Sequence, residues 1–413
     1  MRIWLISAYG PIPGEGWRDY RYTIMGEVLA AAGHDVVWWT PNFSHHFKRF
    51  RSQGWEDRQL GTGFRLRLVP AAAYSGNISL GRLRYELLFA WNTYHRALGE
   101  ARPDCIVVTD PPQVVGRSAI VLARRFGCRL VFDVMDLWPE LFELALPAPL
   151  RALAPLLFLP LRILRSRNYA RADAVISLCE TYKDTVLRQV PRLREVPSAT
   201  VFNGIDVPGF RLAMQAAIQS ASVPPKGPDD VWAVYAGTLG ENYDVPALME
   251  CAMLLQERCS GLRILVAGEG PLAPALAAFV RDRGLRNLTF LGRLSPDELA
   301  RLYRRCDIGI CAYGRLSNVA MPDKAYDYMA AGLPLVSSLA GELARYIRER
   351  GIGLPYRAGD PDSLACALEE IAGNTALRSA LAARSRECGM EFDRRTQYSK
   401  VVDLVRELVP VHP

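Results

Sequence analysis

The run MPDKAYDYMAAGLP, Met321 to Pro334, decides how the chain is read. An apolar run, DIGICAY (307–313), and a polar loop, GRLSNVA, precede it, and a second apolar run, LPLVSS, follows. Strand, loop, helix and strand is the order this predicts. Pro322 suits the first helical turn, where its missing N–H costs nothing. Gly332 suits a left-handed stop, with Pro334 just beyond it. A helix N-terminus with unsatisfied N–H groups then faces the carboxyl end of a strand, where open α/β sheets take anionic ligands. Lys324 and Asp327 are three residues apart and share a face. One offers a cation to phosphate and the other a carboxylate to sugar hydroxyls, so a nucleotide-sugar site is expected here.

At 413 residues the chain is long for one core, and two domains are expected. Half the residues are apolar and 23% are charged, the balance of a globular protein rather than a disordered one. Nine dispersed cysteines, with no C-x-x-C pair and no Cys/His cluster, argue for free thiols in a reducing compartment and against structural zinc. MRIWLISAYG passes straight into a loop and has no signal-peptide core, so a cytoplasmic location is expected. The net charge of +7 is modest, and its basic residues lack aromatic interleaving, which argues against nucleic acid. From Leu144 to Ala172 there are Arg151, Arg162, Arg165, Arg167 and Arg171 and no acid, in a Leu-, Ala- and Pro-rich segment. Its charges leave no run long enough to span a bilayer. Two readings stay open: an anionic membrane surface met by this segment, peripherally on the inner face of the cell membrane, or core helices with a solvated basic edge.

Taken in order, residues 2–9 form a first strand, followed by a loop with Gly10, Gly14 and Gly16 that is not a G-x-G-x-x-G fingerprint. Gly14 and Gly16 let backbone approach a ligand closely, although these residues alone read rather as a flexible, proline-stiffened loop. A helix over 20–32, a strand HDVVWWT, a strand over 103–110, a helix over 113–126 and a strand over 128–134 come next. Past that strand lies MDLWPE (135–140). Strands at 172–179 and 199–206 complete this half. VPPKGPDD (223–230) reads as part of a linker over 208–230, after which strands at 231–240, 262–271 and 288–295 alternate with helices at 245–258, 271–284 and 296–305. Alternation of this size predicts α/β halves with parallel sheets. A final helix covers about 394 to 408.

The succession YAGTLG, LVAGEGP, FLGRLSPDELARLYRRCDIGI and MPDKAYDYMAAGLPLV resembles the retaining family 4 glycosyltransferases of GT-B fold. VFNGID (201–206) fits that family's domain junction, and DLWPE resembles a subgroup acting in bacterial surface-polysaccharide assembly. The resemblance implies two Rossmann-like domains facing a central cleft. The acceptor domain would be 1–207, with 394–413 returning to it, and the donor domain 231–393. It implies transfer of a hexosyl or hexosaminyl residue from a nucleotide diphosphate, UDP expected, to a saccharide or lipid-linked acceptor with retention, as in O-antigen, capsule or exopolysaccharide synthesis. No metal and no further cofactor is implied. Asp327 stands where the second acid of the family's E-x7-E motif binds ribose, but the first acid is replaced by Val319, and the loop TLGENYD lacks the family's cations. Lys324, with Arg293 or Arg315, is left to meet the pyrophosphate; Gly237, Thr238, Pro322 and Asp323 would surround it, with Arg293 by the base. Where many members place a His beside an Asp, the chain has Met135–Asp136. Asp136, with Glu140 a helical turn on, is therefore the catalytic candidate on the acceptor side; its other reading is an N-cap.

Asp360-Pro361-Asp362 is a D-x-D of the kind that metal-dependent transferases of another fold use, but it precedes a helix and Asp362 is read as that helix's N-cap rather than as a metal ligand. His45 and His46 are expected on the surface. A nucleotide-sugar 2-epimerase of the same shape, which turns over donor without acceptor, is a rival expectation. So is a nucleotide-sugar-binding partner that has lost its chemistry.

Overall fold

The computed structural model describes residues 1–16, 20–216, 223–259 and 261–409. The strands are β1 (Arg2–Ile6), β2 (Asp35–Pro41), the hairpin pair β3 (Phe43–Ser44) and β4 (Arg49–Phe50), β5 (Glu56–Gly61), β6 (Phe64–Val69), β7 (Cys105–Asp110), β8 (Arg129–Val134), β9 (Ala174–Ser177) and β10 (Ser198–Thr200). Eight of them form one sheet in the order β10-β9-β8-β7-β1-β2-β6-β5, parallel except at the β5–β6 edge. The remaining strands, β11 (Val231–Ala236), β12 (Leu262–Ala267), β13 (Leu288–Gly292), β14 (Ile308–Cys311), β15 (Leu335–Ser337) and β16 (Gly353–Pro355), form a second, wholly parallel sheet. Its order is β13-β12-β11-β14-β15-β16. The protein is thus α/β, with two Rossmann-like units. In the second unit the strand order reverses between β11 and β14, and in the first between β1 and β7. Connections leave in opposite directions at such a point, opening a crevice at the carboxyl ends of the strands.

The first compact unit comprises residues 1–202 and the chain end from 395; the second comprises 203–394. Tyr398, Val401, Val405 and Leu408 of the Arg394–Leu408 helix share a core with Ile3, Leu5, Trp38 and Val107. The linker expected over 208–230 is in part a helix, Val207–Gln215. The Asp206 carboxylate caps it by accepting from the Gly209 N–H at 3.2 Å, and Phe210 packs against Tyr303. Residues 217–222 of that expected linker and 410–413 of the expected returning end lie outside the described residues. Between 45 and 100, where the sequence shows little order, lie β5, β6 and a long helix, Leu80–Ala97.

One buried ion pair ties the first unit together. Both side chains of Arg21 and Asp133 are excluded from water, with guanidinium nitrogens 2.8 Å from each carboxylate oxygen. Arg21 also donates to the Val201 carbonyl. The Arg21–Ala31 helix is thereby fastened to β8 and to the chain leaving β10. Removing one partner of such a pair strands the other charge at a cost of about 3–5 kcal/mol. Arg21→Met should therefore lower the denaturant midpoint sharply, and adding Asp133→Leu should recover much of the loss. A single variant as stable as the parent would refute this role.

Candidate functional site

In the second unit the Lys324 side chain lies at the carboxyl ends of β11 and β14, beside Gly237, Tyr235 and Tyr313. The Asp323–Ala331 helix is buried on all sides from Lys324 onward, because both of its faces are packed. Tyr328 reaches between the strands, where its hydroxyl accepts from the Ala236 N–H at 3.0 Å and donates to the Val234 carbonyl at 3.2 Å. On the other side Gly389 packs against the helix backbone at Met329. These contacts fasten the helix to β11 on one side and to Gly389 on the other. Pro322 is its N-cap rather than a member of its first turn (φ −80°, ψ 148°), no side chain caps it, and Gly332 closes it in the left-handed region (φ 74°).

Lys324 is only 9% exposed, and its Nζ has no hydrogen-bond partner among the described residues. Three phenol rings surround the ammonium: Tyr235 at 4.0 Å, Tyr313 at 5.1 Å and Tyr243 at 5.2 Å to the centroids. Ring quadrupoles attract the cation without satisfying its N–H groups. Burial pulls its pKa down to about 8, with Cys311 and Asp327 acting the other way. Asp327 is 1% exposed on the same helix. Gly237, at the end of β11, is required by this packing: its φ is +144°, and a Cβ there would lie 2.8 Å from the Lys324 Nζ. Gly268 is needed one strand over, since a Cβ would fall 1.8 Å from the Gly237 carbonyl oxygen. Backbone loops thus stack at the strand ends around a cation whose donors are unused.

The other expected donor residues are placed as follows. Thr238 is exposed, and its carbonyl accepts from the Tyr235 hydroxyl at 2.6 Å, which anchors the loop to the cage. Asp323 is exposed at the helix start and accepts from the Asn203 amide at 3.2 Å. Arg293 follows β13 and forms an exposed pair with Glu269 at 3.1 Å. Arg315 is turned to the Ala358 carbonyl at 3.0 Å. Val319 is half-buried and offers no charge in place of the missing acid. The tyrosine cage has no signature in the sequence. Tyr235 and Tyr313 sit in apolar runs and read as core; only their position at the ends of two strands adjacent at a reversal marks them.

The first unit has its own polar cluster at the carboxyl ends of β1, β7 and β8. Gly14 and Gly16 lie in the loop after β1 at φ +87° and +73°, and a Cβ at either position would meet nothing within 4 Å. Asp136 is partly buried and does not cap a helix: it accepts from the Leu137 N–H at 2.8 Å, while Pro139 is the N-cap of Glu140–Ala145. Burial raises its pKa. Glu140 is held differently. Arg165, buried, grips both its oxygens at 2.6 and 2.7 Å. Burial pushes the Glu140 pKa up, but these hydrogen bonds and the guanidinium charge overcome that and leave it at about 2. Glu140 is therefore a carboxylate committed to Arg165. Asp110, at the end of β7, was not singled out by the sequence. It is fully buried, accepts from the Tyr169 hydroxyl, and burial raises it to about 6. Arg82 stacks on the rings of Trp138 (4.5 Å) and Tyr9 (4.8 Å) beside this cluster.

Several expectations are corrected. Arg162 and Arg165 carry no free charge, because Glu143 and Glu140, just before the acid-free segment, neutralise them. Asp360, not Asp362, caps the Pro361–Gly373 helix by accepting from the Ser363 N–H at 2.9 Å, and Asp362 pairs with Arg258. His46 is exposed as expected, but His45 is partly buried and bonds the Tyr74 hydroxyl, and burial lowers its pKa to about 4. Among the described residues, no three His, Cys, Asp or Glu side chains gather as metal ligands would.

Residues 24–204 match the domain family described as "Glycosyl transferase 4-like domain", and residues 231–374 match "Glycosyl transferases group 1". An uncharacterized glycosyltransferase of Methanocaldococcus jannaschii is 28% identical over 141 residues, 34% of this chain and 38% of that relative. The chain thus spans well under half of that relative's length. The putative glycosyltransferase EpsD of Bacillus subtilis is 22% identical across 87% of this chain and 91% of its own. Among solved structures, sucrose-phosphate synthase from Thermosynechococcus elongatus superposes with a TM-score of 0.72 at 17% identity, covering 98% of each chain. Anabaena HepE in complex with UDP gives 0.68 at 15%, covering 99% of this chain and all of that one. At such identities these two show a shared fold.

A lysine that titrates at about 8 in the folded chain and 10.5 when unperturbed binds its proton less tightly when folded. The unfolded chain then holds more protons between those two values, so stability rises with pH across that window and the penalty is fully present below it. Lys324→Met, which keeps the volume and removes the charge, should melt a few degrees above the parent at pH 7. The gap should narrow above pH 8. A variant less stable at every pH would show that the cage stabilises the ammonium outright.

Proposed function

We propose that the chain, whose units have the GT-B architecture and match glycosyltransferase domain families, transfers a hexosyl or hexosaminyl residue, with retention, from a UDP-sugar to a saccharide or lipid-linked acceptor in cell-surface polysaccharide synthesis. The observation that carries this reading is the buried Lys324 ammonium, short of hydrogen-bond acceptors, beside an uncapped helix N-terminus at the strand-order reversal. A diphosphate supplies those acceptors. Preorganised donors and a cation aimed at a departing phosphate lower the barrier because they need not reorganise as charge develops.

The acceptor hydroxyl oxygen bonds to the anomeric carbon as that carbon's bond to the diphosphate oxygen breaks. The electron pair leaves with UDP, whose oxygen takes the hydroxyl proton on the same face, so the configuration is kept. Lys324, the N–H groups from Asp323 onward and the Gly237–Thr238 backbone hold the diphosphate. Asp327 serves the ribose and Arg293 the base. UDP is favoured because the related HepE fold was solved with UDP and with UDP-glucose. Helix N-terminus and lysine perform the charge stabilisation, so this reading assigns no metal and no further cofactor. On the acceptor side Asp136 receives the hydroxyl, and Glu140 orients the DLWPE turn through Arg165. The chain works at the inner face of a membrane, which the segment 144–172 meets with exposed Leu150, Leu153 and Leu156 and with Arg167 and Arg171.

Calorimetry with UDP tests the donor site. Lys324→Ala should weaken binding roughly 10- to 100-fold, the loss of one charge-assisted contact of about 1.5–3 kcal/mol. Because the free ammonium titrates at about 8 and UDP favours its charged form, affinity should be flat below that pH. Above it, affinity should fall about tenfold per pH unit. Undiminished affinity in both Lys324→Ala and Asp327→Ala would sink the assignment. Donor incubated without acceptor should keep its sugar configuration; epimerised product would mean an isomerase.

A further inference from the structure

The first unit presents more apolar surface than one segment explains. Of nineteen large hydrophobic side chains exposed among the described residues, thirteen fall in two stretches, 78–98 and 150–163. The Leu80–Ala97 helix buries Tyr85, Glu86, Phe89, Ala90, Thr93 and Ala97 on one side. On the opposite side Leu80 (85% exposed), Leu83, Leu87 and Trp91 (64%) recur at three- and four-residue intervals, forming one continuous stripe. The second stretch is a series of short, proline-interrupted helices in which Leu153, Leu156 (71%) and Leu157 stand out into solvent.

The two stretches belong to one face. The Leu80–Ala97 helix packs on the Gln113–Phe126 helix, which packs on the Leu159–Tyr169 helix. All three contribute to the same core on the same side of the first sheet. Val121 of the middle helix is itself exposed. Stacked side chains join the two stretches directly: Arg82 lies on Trp138 at 4.5 Å, Trp138 meets Phe142 at 4.7 Å, and Phe142 meets Phe158 at 6.2 Å. The stripe begins at the carboxyl-end edge of the sheet, where Asp136 lies.

Charge selects the occupant. Glu86 is the sole acid between Ile78 and Leu98, and it is turned inward to Tyr9 and Arg82, leaving Arg84 exposed beside the stripe. No acid occurs from Leu144 to Ala172, and Arg167 is exposed there. A second copy would bring like charges together across a two-fold contact. A protein partner needs no such exclusion of acids. No described helix is long and apolar enough to cross a membrane. We infer that the stripe Leu80–Leu83–Leu87–Trp91 and the 150–163 helices form a single docking face for an anionic lipid bilayer. Its apolar side chains enter the interfacial region while Arg84 and Arg167 meet the headgroups. The inference rests on the membrane location proposed above, and it adds the helix that the sequence left unordered and the orientation that follows. With both stretches on the bilayer, the Asp136 edge is carried close to the surface from which a lipid-linked acceptor would be drawn.

Flotation of the full chain with vesicles of phosphatidylcholine alone, and with about one third phosphatidylglycerol, tests this. The parent should float with the anionic vesicles. Leu83→Glu/Leu87→Glu and Leu156→Glu/Leu157→Glu should each lower the partition coefficient at least about tenfold. All four positions are exposed, so unchanged UDP affinity and melting temperature would establish that each variant is folded. A parent that stays in solution sinks both this inference and the membrane location, without touching the donor-site reading. Undiminished flotation of Leu83→Glu/Leu87→Glu sinks this inference and leaves the other stretch. A parent mass in solution of twice the chain, restored to one chain by the same substitutions, overturns it in favour of self-association.

Discussion

The ammonium of Lys324 lies within the protein, under three tyrosine rings, with its hydrogen-bonding capacity unused by any described residue. Holding a charge there costs free energy, and the surroundings are built to bear it. Tyr328 pins the helix to β11, so the lysine cannot swing out by moving its backbone. Gly237 and Gly268 let two strand-end loops close over it without side chains. Tyr235 both lines the cage and bonds the Thr238 carbonyl. The arrangement stores a cation with open donors where the parallel sheet reverses its order, which is where a diphosphate gains the most from fixed charge and fixed N–H groups.

The first unit repeats the scheme with carboxylates. At its own reversal, between β1 and β7, burial raises Asp110, and Asp136 is raised beside it. Glu140 is instead pinned as an anion by Arg165. Three acids within one cluster thus differ because one is dry, one is partly dry and one is paired. This separation leaves Asp136 as the carboxyl with an uncommitted role, and makes Glu140 a strut of the turn that carries it.

The helix that carries Lys324 and Asp327 was legible in large part because its requirements are local. The spacing of Pro322, Lys324, Asp327 and Gly332 sets a helix start, a cation, a carboxylate and a stop within a dozen residues, and backbone geometry alone relates them. The partners of Arg162 and Arg165 were not legible. An acid-free stretch suggests free basic charge, yet Glu140 and Glu143 lie just outside it in sequence and against it in space. The tyrosine cage escaped for the same reason: Tyr235, Tyr243 and Tyr313 come from separate segments, and each alone is an ordinary aromatic residue. In the Leu80–Ala97 helix the leucine stripe that periodicity would assign to the core is the exposed one, while the buried side includes Glu86 and Thr93, so spacing alone does not tell the two faces apart.

By itself, then, the sequence determined the alternation of strands and helices, the two-unit organisation and the helix that carries Lys324, because apolar periodicity, proline and glycine act through neighbouring residues. Tertiary structure alone decided which strands are adjacent, and so where each sheet reverses. It decided that Lys324 is caged rather than solvated, that Glu140 is paired rather than poised, and that the Leu80–Leu83–Leu87–Trp91 stripe faces outward. Each of these depends on burial and on contacts between residues far apart in the chain. A charge's pKa and availability are set by what surrounds it in space, and no spacing along the chain encodes that directly.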